Sequence, residues 1–93
     1  MNIATTIRNQ IMTIDGMALW AWGAKNLIAL EDGLQFKSSG MVKWKGFVTI
    51  KLNGRDLYDV EFGKVRKGEY TSVKKVSDIF VEDLVNTIEL QVG

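Results

Sequence analysis

Apolar residues fall at two different periods along this chain. Over residues 2–14, NIATTIRNQIMTI, Ile3, Ile7 and Ile11 recur at i, i+4, Ile14 follows, and Arg8, Asn9 and Gln10 lie off the stripe. That spacing predicts an amphipathic helix capped by Asn2, with Asp15-Gly16 ending it and Gly16 left-handed. From residue 42 the period changes to two. Val42, Trp44, Gly46, Val48, Ile50 and Leu52 alternate with Lys43, Lys45, Phe47, Thr49 and Lys51, and Tyr58, Val60 and Phe62 alternate with Asp59, Glu61 and Gly63. Two strands with one buried face follow, joined near Asn53-Gly54-Arg55. A loop of those three residues pairs Ile50 with Tyr58, Val48 with Val60, and Gly46 with Phe62, keeping both apolar sets on one side. In that register Thr49 faces Asp59, Phe47 faces Glu61, and Phe62 lies over Gly46.

The other segments are shorter. Residues 17–22, MALWAW, read as a central strand apolar on both faces, with Trp20 and Trp22 sharing a side. Gly23-Ala24-Lys25-Asn26 marks a turn, and residues 27–30 suit either a strand or a helical turn. Asp32-Gly33 is a turn signal, and Leu34, Phe36 and Ser38 alternate as a strand. Residues 70–76 form a weak edge strand with Tyr70, Ser72, Lys74 and Val76 on one side. A final helix starts at residue 79 or 80, capped by Ser77 or Asp78. Phe80, Leu84 and Ile88 share its face, and Glu82 and Asp83 favour its dipole.

The expected fold is one α+β domain over residues 1–93. A small, mainly antiparallel sheet of four to five strands carries an N-terminal and a C-terminal helix on the even face of the 42–62 hairpin. A half-open barrel plugged by the helices is the alternative.

Composition narrows the chemistry. The chain has no histidine and no cysteine. Cys/His nucleophilic sites, Ser-His-Asp triads and thiolate metal sites are therefore excluded, and no phosphate-binding glycine motif is present. Asp59 and Glu61, on one side of a strand, are the carboxylate pair most suited to a divalent ion or acid–base work, but a solvated outer face explains them more simply. The expectation is a protein without catalytic activity and without a cofactor. No run approaches the roughly 20 apolar residues of a membrane helix, no secretory signal is visible, and no membrane partner is expected.

Charge is uneven although the net is +1: residues 33–76 carry +6 and residues 77–93 carry −4. Lys43, Lys45 and Lys51 project from one strand around Phe47, with Lys64, Arg66, Lys67, Lys74 and Lys75 following. Lysines around an aromatic on a sheet suit single-stranded nucleic acid, and equally suit keeping a sheet soluble. Trp44 is expected in the core. Trp20 and Trp22, if open, would anchor a protein partner, as would Phe47.

The order Gly23-Ala24-Lys25-Asn26, Leu34-Gln35-Phe36-Lys37, then Leu52-Asn53-Gly54-Arg55-Asp56-Leu57-Tyr58-Asp59-Val60-Glu61-Phe62 and an acidic last helix resembles small proteins encoded by bacteriophages and prophages. The chain departs from their pattern at Asp15-Gly16 and at residues 19–22. The resemblance implies a phage or mobile-element origin, a bacterial cytoplasmic location and no catalytic residue. The resulting expectation is a non-catalytic accessory protein that binds a host or phage protein. Inhibition of a host defence system is one form of it. The alternative is a nucleic-acid-binding module using Lys43, Lys45 and Lys51. A homodimer is left open by the edge strand and the tryptophan pair.

Overall fold

The computed structural model describes residues 2–39 and 44–93. Helix α1 (Ile3–Ile14) is followed by a short helix α2 (Ala18–Ala21). Strands β1 (Lys25–Leu30), β2 (Gly33–Ser38), β3 (Gly46–Leu52), β4 (Tyr58–Arg66) and β5 (Glu69–Ile79) come next, and α3 (Val81–Val92) closes the chain. The strands form one antiparallel sheet in the order β1-β2-β3-β4-β5. The sheet is open, with β1 and β5 as its edges, so the fold is a two-layer α+β domain and not a plugged barrel. No helix among the described residues is long and apolar enough to cross a membrane.

The even face of β3 and β4 is the floor of the core, as its alternation predicts. Val48, Ile50, Val60 and Phe62 are buried with Leu34 and Phe36 of β2. Ile7 and Ile11 of α1 and Leu84, Ile88 and Val92 of α3 cover them. Each such side chain contributes about 1.5–3 kcal/mol by leaving water. Asn2 caps α1 as expected, its Oδ1 accepting from the Thr5 N–H at 2.7 Å. Residues 27–30 are strand.

Several local expectations are corrected. The β3–β4 register is two residues off: Leu52 pairs with Tyr58, Ile50 with Val60, and Val48 with Phe62, so Thr49 faces Glu61 and Phe47 faces Gly63. The faces are unchanged because a two-residue shift preserves the pleat. The loop runs over 53–57 because Asn53 builds it from both ends. Its N–H donates to Leu57 O at 2.8 Å, and its Oδ1 accepts from the N–H groups of Arg55 (2.8 Å) and Leu57 (3.2 Å). The left-handed residue there is Asp56 (φ 60), not Asn53 or Gly54. Nor does Phe62 fill the space at Gly46, which the Trp44 ring and the Gly63 carbonyl occupy.

Residues 17–22 are not a strand. They form α2 and its exit, a C-terminal cap in which Gly23 (φ 63) donates to Trp20 O and Ala24 donates to Leu19 O, both at 2.9 Å. This is the paired 6→1 and 5→2 bonding of a helix ended by a left-handed glycine. At the end of α1, Gly16 is not left-handed. There Asp15 is extended, and its Oδ1 accepts from the Met17 N–H at 3.0 Å, turning the chain into α2.

On β5, extra residues at Val73 and at Ser77-Asp78 break the alternation. Tyr70 and Ser72 therefore lie on the open face of the sheet, while Lys74 and Val76 lie on the other. The β4–β5 turn is Lys67-Gly68, both with positive φ. Neither Ser77 nor Asp78 caps α3; the N-cap position is Phe80, without a side-chain bond, and Phe80 is exposed and not on the buried face.

Candidate functional site

Two surfaces gather residues of the types that bind partners. One is on the helical layer. Thr6, Asn9, Gln10, Thr13 and Ile14 of α1 face Val81 and Glu82 of α3 across a largely apolar groove of about 610 Å³. A second hollow of about 410 Å³ shares Ile14 and Glu82 with it and extends along Met17, Ala18 and Ala21 to Val85 and Glu89. Ile14, Met17 and Phe80 are exposed large apolar side chains at this groove or beside it. Acidic groups mark its rim at Asp15, Glu82 and Glu89.

The tryptophan pair divides here. Trp20 is 78% exposed, on the same short helix as the groove residues Ala18 and Ala21, whereas Trp22 is 1% exposed. They do not share a face, because 17–22 is helix and helix exit, where residues two apart point apart. Trp22 stacks on Phe36, ring centroids 6.0 Å apart and planes within 3°. Its Nε1–H donates to Glu89 Oε2 of α3. Trp22 is thereby removed from the candidate binding residues, and Trp20 stays among them. Trp44 is half-buried against the core, edge-on to Phe62 at 5.8 Å.

The second surface is the open face of the sheet. Phe47 projects onto it as expected but is half-buried, with Lys37 as its neighbour on β2 and Gly63 on β4. The Tyr70 ring lies over Gly63, where any larger side chain would collide with it. Its hydroxyl donates to Glu61 Oε1 at 2.6 Å. Burial, then the Glu61 carboxylate, push the Tyr70 phenol up to about 12.

The expected cation set separates. Lys43 lies outside the described residues. Lys51 sits between Gly33 and Asp59, in a polar hollow it shares with Thr49, Glu61 and Lys75. Lys45 is at the other end of β3, about 20 Å away at roughly 3.3 Å per residue. There it lines a cleft of about 200 Å³ with Lys37, Gly46, Phe47, Lys64, Val65 and Arg66. Lys64 also places its Nζ 5.5 Å from the centre of the Trp44 ring. The outward position of Lys37 follows from its place next to Phe36 in β2. That Lys64 and Arg66 border the same cleft does not, because it depends on β4 running past the start of β3; they reach it from the helical face of the sheet, where they also line a hollow with Thr71 and Val73.

Asp59 and Glu61 are tied into the sheet. Asp59 Oδ1 accepts from the Asp78 N–H and from Asn53 Nδ2, both at 3.1 Å, which hold its carboxyl below the ordinary carboxylate value. Asn53 Nδ2 also donates to Asp78 Oδ1 at 2.9 Å, and Asp78 Oδ2 lies 3.3 Å from Arg55 Nη1. Among the described residues no group of three metal-ligating side chains comes together. Comparison with protein-family models, with curated proteins and with solved structures finds no match to the chain.

Proposed function

We propose that this chain is a small non-catalytic accessory protein, of phage or mobile-element origin, that acts in the bacterial cytoplasm by binding a partner protein in the groove between α1 and α3. The observation that carries this reading is the open apolar groove itself, with Ile14 and Met17 exposed in it and Phe80 beside it. A small domain gains nothing in folding by exposing large apolar residues together, and such patches mark docking sites. Trp20, on the helix that forms one end of the groove, is of the residue type that most often dominates binding energy. The absence of histidine and cysteine supports binding over catalysis.

The rim defines the partner's chemistry. Asp15, Glu82 and Glu89 would meet positive charge, and a trough between two helices takes a third. The occupant is therefore a basic amphipathic helix of the partner. A peptide-display selection on the intact chain, with Met17→Glu as the counter-selecting variant, tests this. Recovered peptides should carry apolar residues at i, i+3 and i+4 with Lys or Arg between them. They should lose binding to Met17→Glu, an exposed substitution that leaves the fold intact. Recovery of acidic or unpatterned peptides, or equal binding to Met17→Glu, defeats the reading. So does a dimer by sedimentation that Met17→Glu dissociates, since the groove would then hold a second copy.

A further inference from the structure

The two edges of the sheet are built differently. On β5 the edge is interrupted by bulges at Val73 and at Ser77-Asp78, and Lys74 and Lys75 stand exposed between them. Bulges and lysines keep an edge strand from pairing with another chain. On β1 the one irregularity lies near the start, between Lys25 and Ile28, where Asn26 is left-handed (φ 54). Beyond it Leu27-Ile28-Ala29-Leu30 runs regularly, with no charge and no proline. Leu27 and Ile28 are exposed, and no described strand pairs with β1 on its far side.

The direction of the free backbone groups follows from one hydrogen bond. Leu52 N–H donates to Asp32 O at 2.8 Å, one step beyond the Gly33–Lys51 pair. Bonding groups alternate along a strand, so Leu34 and Phe36 bond toward β3, while Gly33 and Gln35 bond toward β1. Leu30 and Ile28, opposite Gly33 and Gln35, bond inward. The N–H and C=O groups of Leu27 and Ala29 therefore point away from the sheet.

A second copy of the chain fits that pattern about a two-fold axis at Ile28. Antiparallel pairing centred there sets Ile28 against its own copy and Leu27 against Ala29 of the second copy. Each outward N–H and C=O then meets a partner of the opposite kind. By the same count Lys25 comes to the end where Glu31 of the second copy lies, placing opposite charges at both ends of the seam. The helical layer allows the approach. Helix α1 rests on β1 and β2. With paired strands roughly 4.8 Å apart, the two α1 helices come to lie about 10 Å apart, the spacing of packed helices. Met12, exposed on the flank of α1 opposite the groove residue Gln10, lies on the seam side.

We infer that β1 is a self-association edge, through which two copies pair antiparallel about Ile28 into one sheet continuous across both. Because β5 is blocked, this pairing uses up the free edge and closes at a dimer instead of growing a fibre. The edge is not residues 70–76, and it leaves the α1–α3 groove, on the other flank of α1, open.

Sedimentation equilibrium of the full chain tests the inference and should give twice the mass of one chain. Ala29→Pro removes only an outward N–H, so it should abolish the dimer while the circular dichroism of the fold is kept. Ile28→Lys, at an exposed position, sets like charges against each other at the axis and should do the same. Met17→Glu, in the groove, should stay dimeric. By NMR the Leu27 and Ala29 amide hydrogens should exchange slowly in the dimer and lose that protection in Ile28→Lys. A single-chain mass at concentrations up to about 1 mM overturns the inference. So does a dimer that survives both Ala29→Pro and Ile28→Lys. A dimer that Met17→Glu dissociates also overturns it, by placing the second copy in the α1–α3 groove.

Discussion

Asn53 stands where the β3–β4 loop, β4 and the β5 bulge meet. Its carbonyl oxygen holds two loop N–H groups and its amide bridges Asp59 and Asp78. Asn53→Ala leaves these groups without their partner and should cost about 1–3 kcal/mol in a urea unfolding curve. Arg55→Ala, which removes only an exposed ion pair, should cost about 0–1 kcal/mol. The same residue shapes the acid response. The Asp59 carboxyl is held below its ordinary value, first by the Asp78 N–H and then by the Asn53 amide. Its contribution is present above the unfolded carboxyl value and lost as pH falls through the lower folded one. Below about pH 4 the stability of Asn53→Ala should therefore fall less steeply than that of the unchanged chain. The two tyrosines govern the alkaline side. Tyr58 is raised by burial, against a bond to Gln10, and Tyr70 is raised to about 12. Absorbance titration of the folded chain should show no phenol ionising at the ordinary value of about 10, and Tyr70→Phe should remove the component near 12. A raised phenol supplies stability that is complete below about pH 10 and declines as pH rises toward the folded value.

At the scale of the element, glycines at two turns do unlike work. Gly23 has φ 63 and its Cα faces the Ser39 carbonyl so closely that a methyl would collide with it. Gly23→Ala should destabilise by at least about 1–2 kcal/mol, from backbone strain and displacement of Ser39. Gly54 has no positive φ and open space around it. Gly54→Ala should be neutral or stabilise by about 0.4–1 kcal/mol through the unfolded chain. Paired melting curves decide both. The contrast shows which elements could be read in advance. Alternation in β3 and β4 fixed their buried face, because one set of positions is apolar throughout its middle and the other is mostly polar. Residues 17–22 are apolar at nearly every position, so periodicity could not separate strand from helix; the left-handed Gly23 decides it. In β5, Val73 and Ser77-Asp78 interrupt the pleat, and no rule of alternation survives two bulges. The binding surfaces were legible by residue type and not by grouping. Trp20 and Trp22 are two positions apart in sequence and opposite in exposure, while Lys37 and Arg66 are remote in sequence and line one cleft.

Across the whole molecule, charge and apolar exposure are sorted to different places. The helical groove has an acidic rim and the open corner of the sheet is basic, although the net charge is only +1. The Trp22–Glu89 hydrogen bond belongs to this scale too, joining residues 67 positions apart while every strand pairs with its neighbour in sequence. The sheet can zip up through short-range contacts, but this bond closes a loop over most of the chain and so forms late. Glu89→Ala should therefore speed unfolding and leave refolding nearly unchanged in stopped-flow tryptophan fluorescence. Slower refolding in that variant would mean instead that the helices dock before the sheet is complete. The lifetime of the native state, more than the speed of its formation, is then set where the first third of the chain meets its last turn.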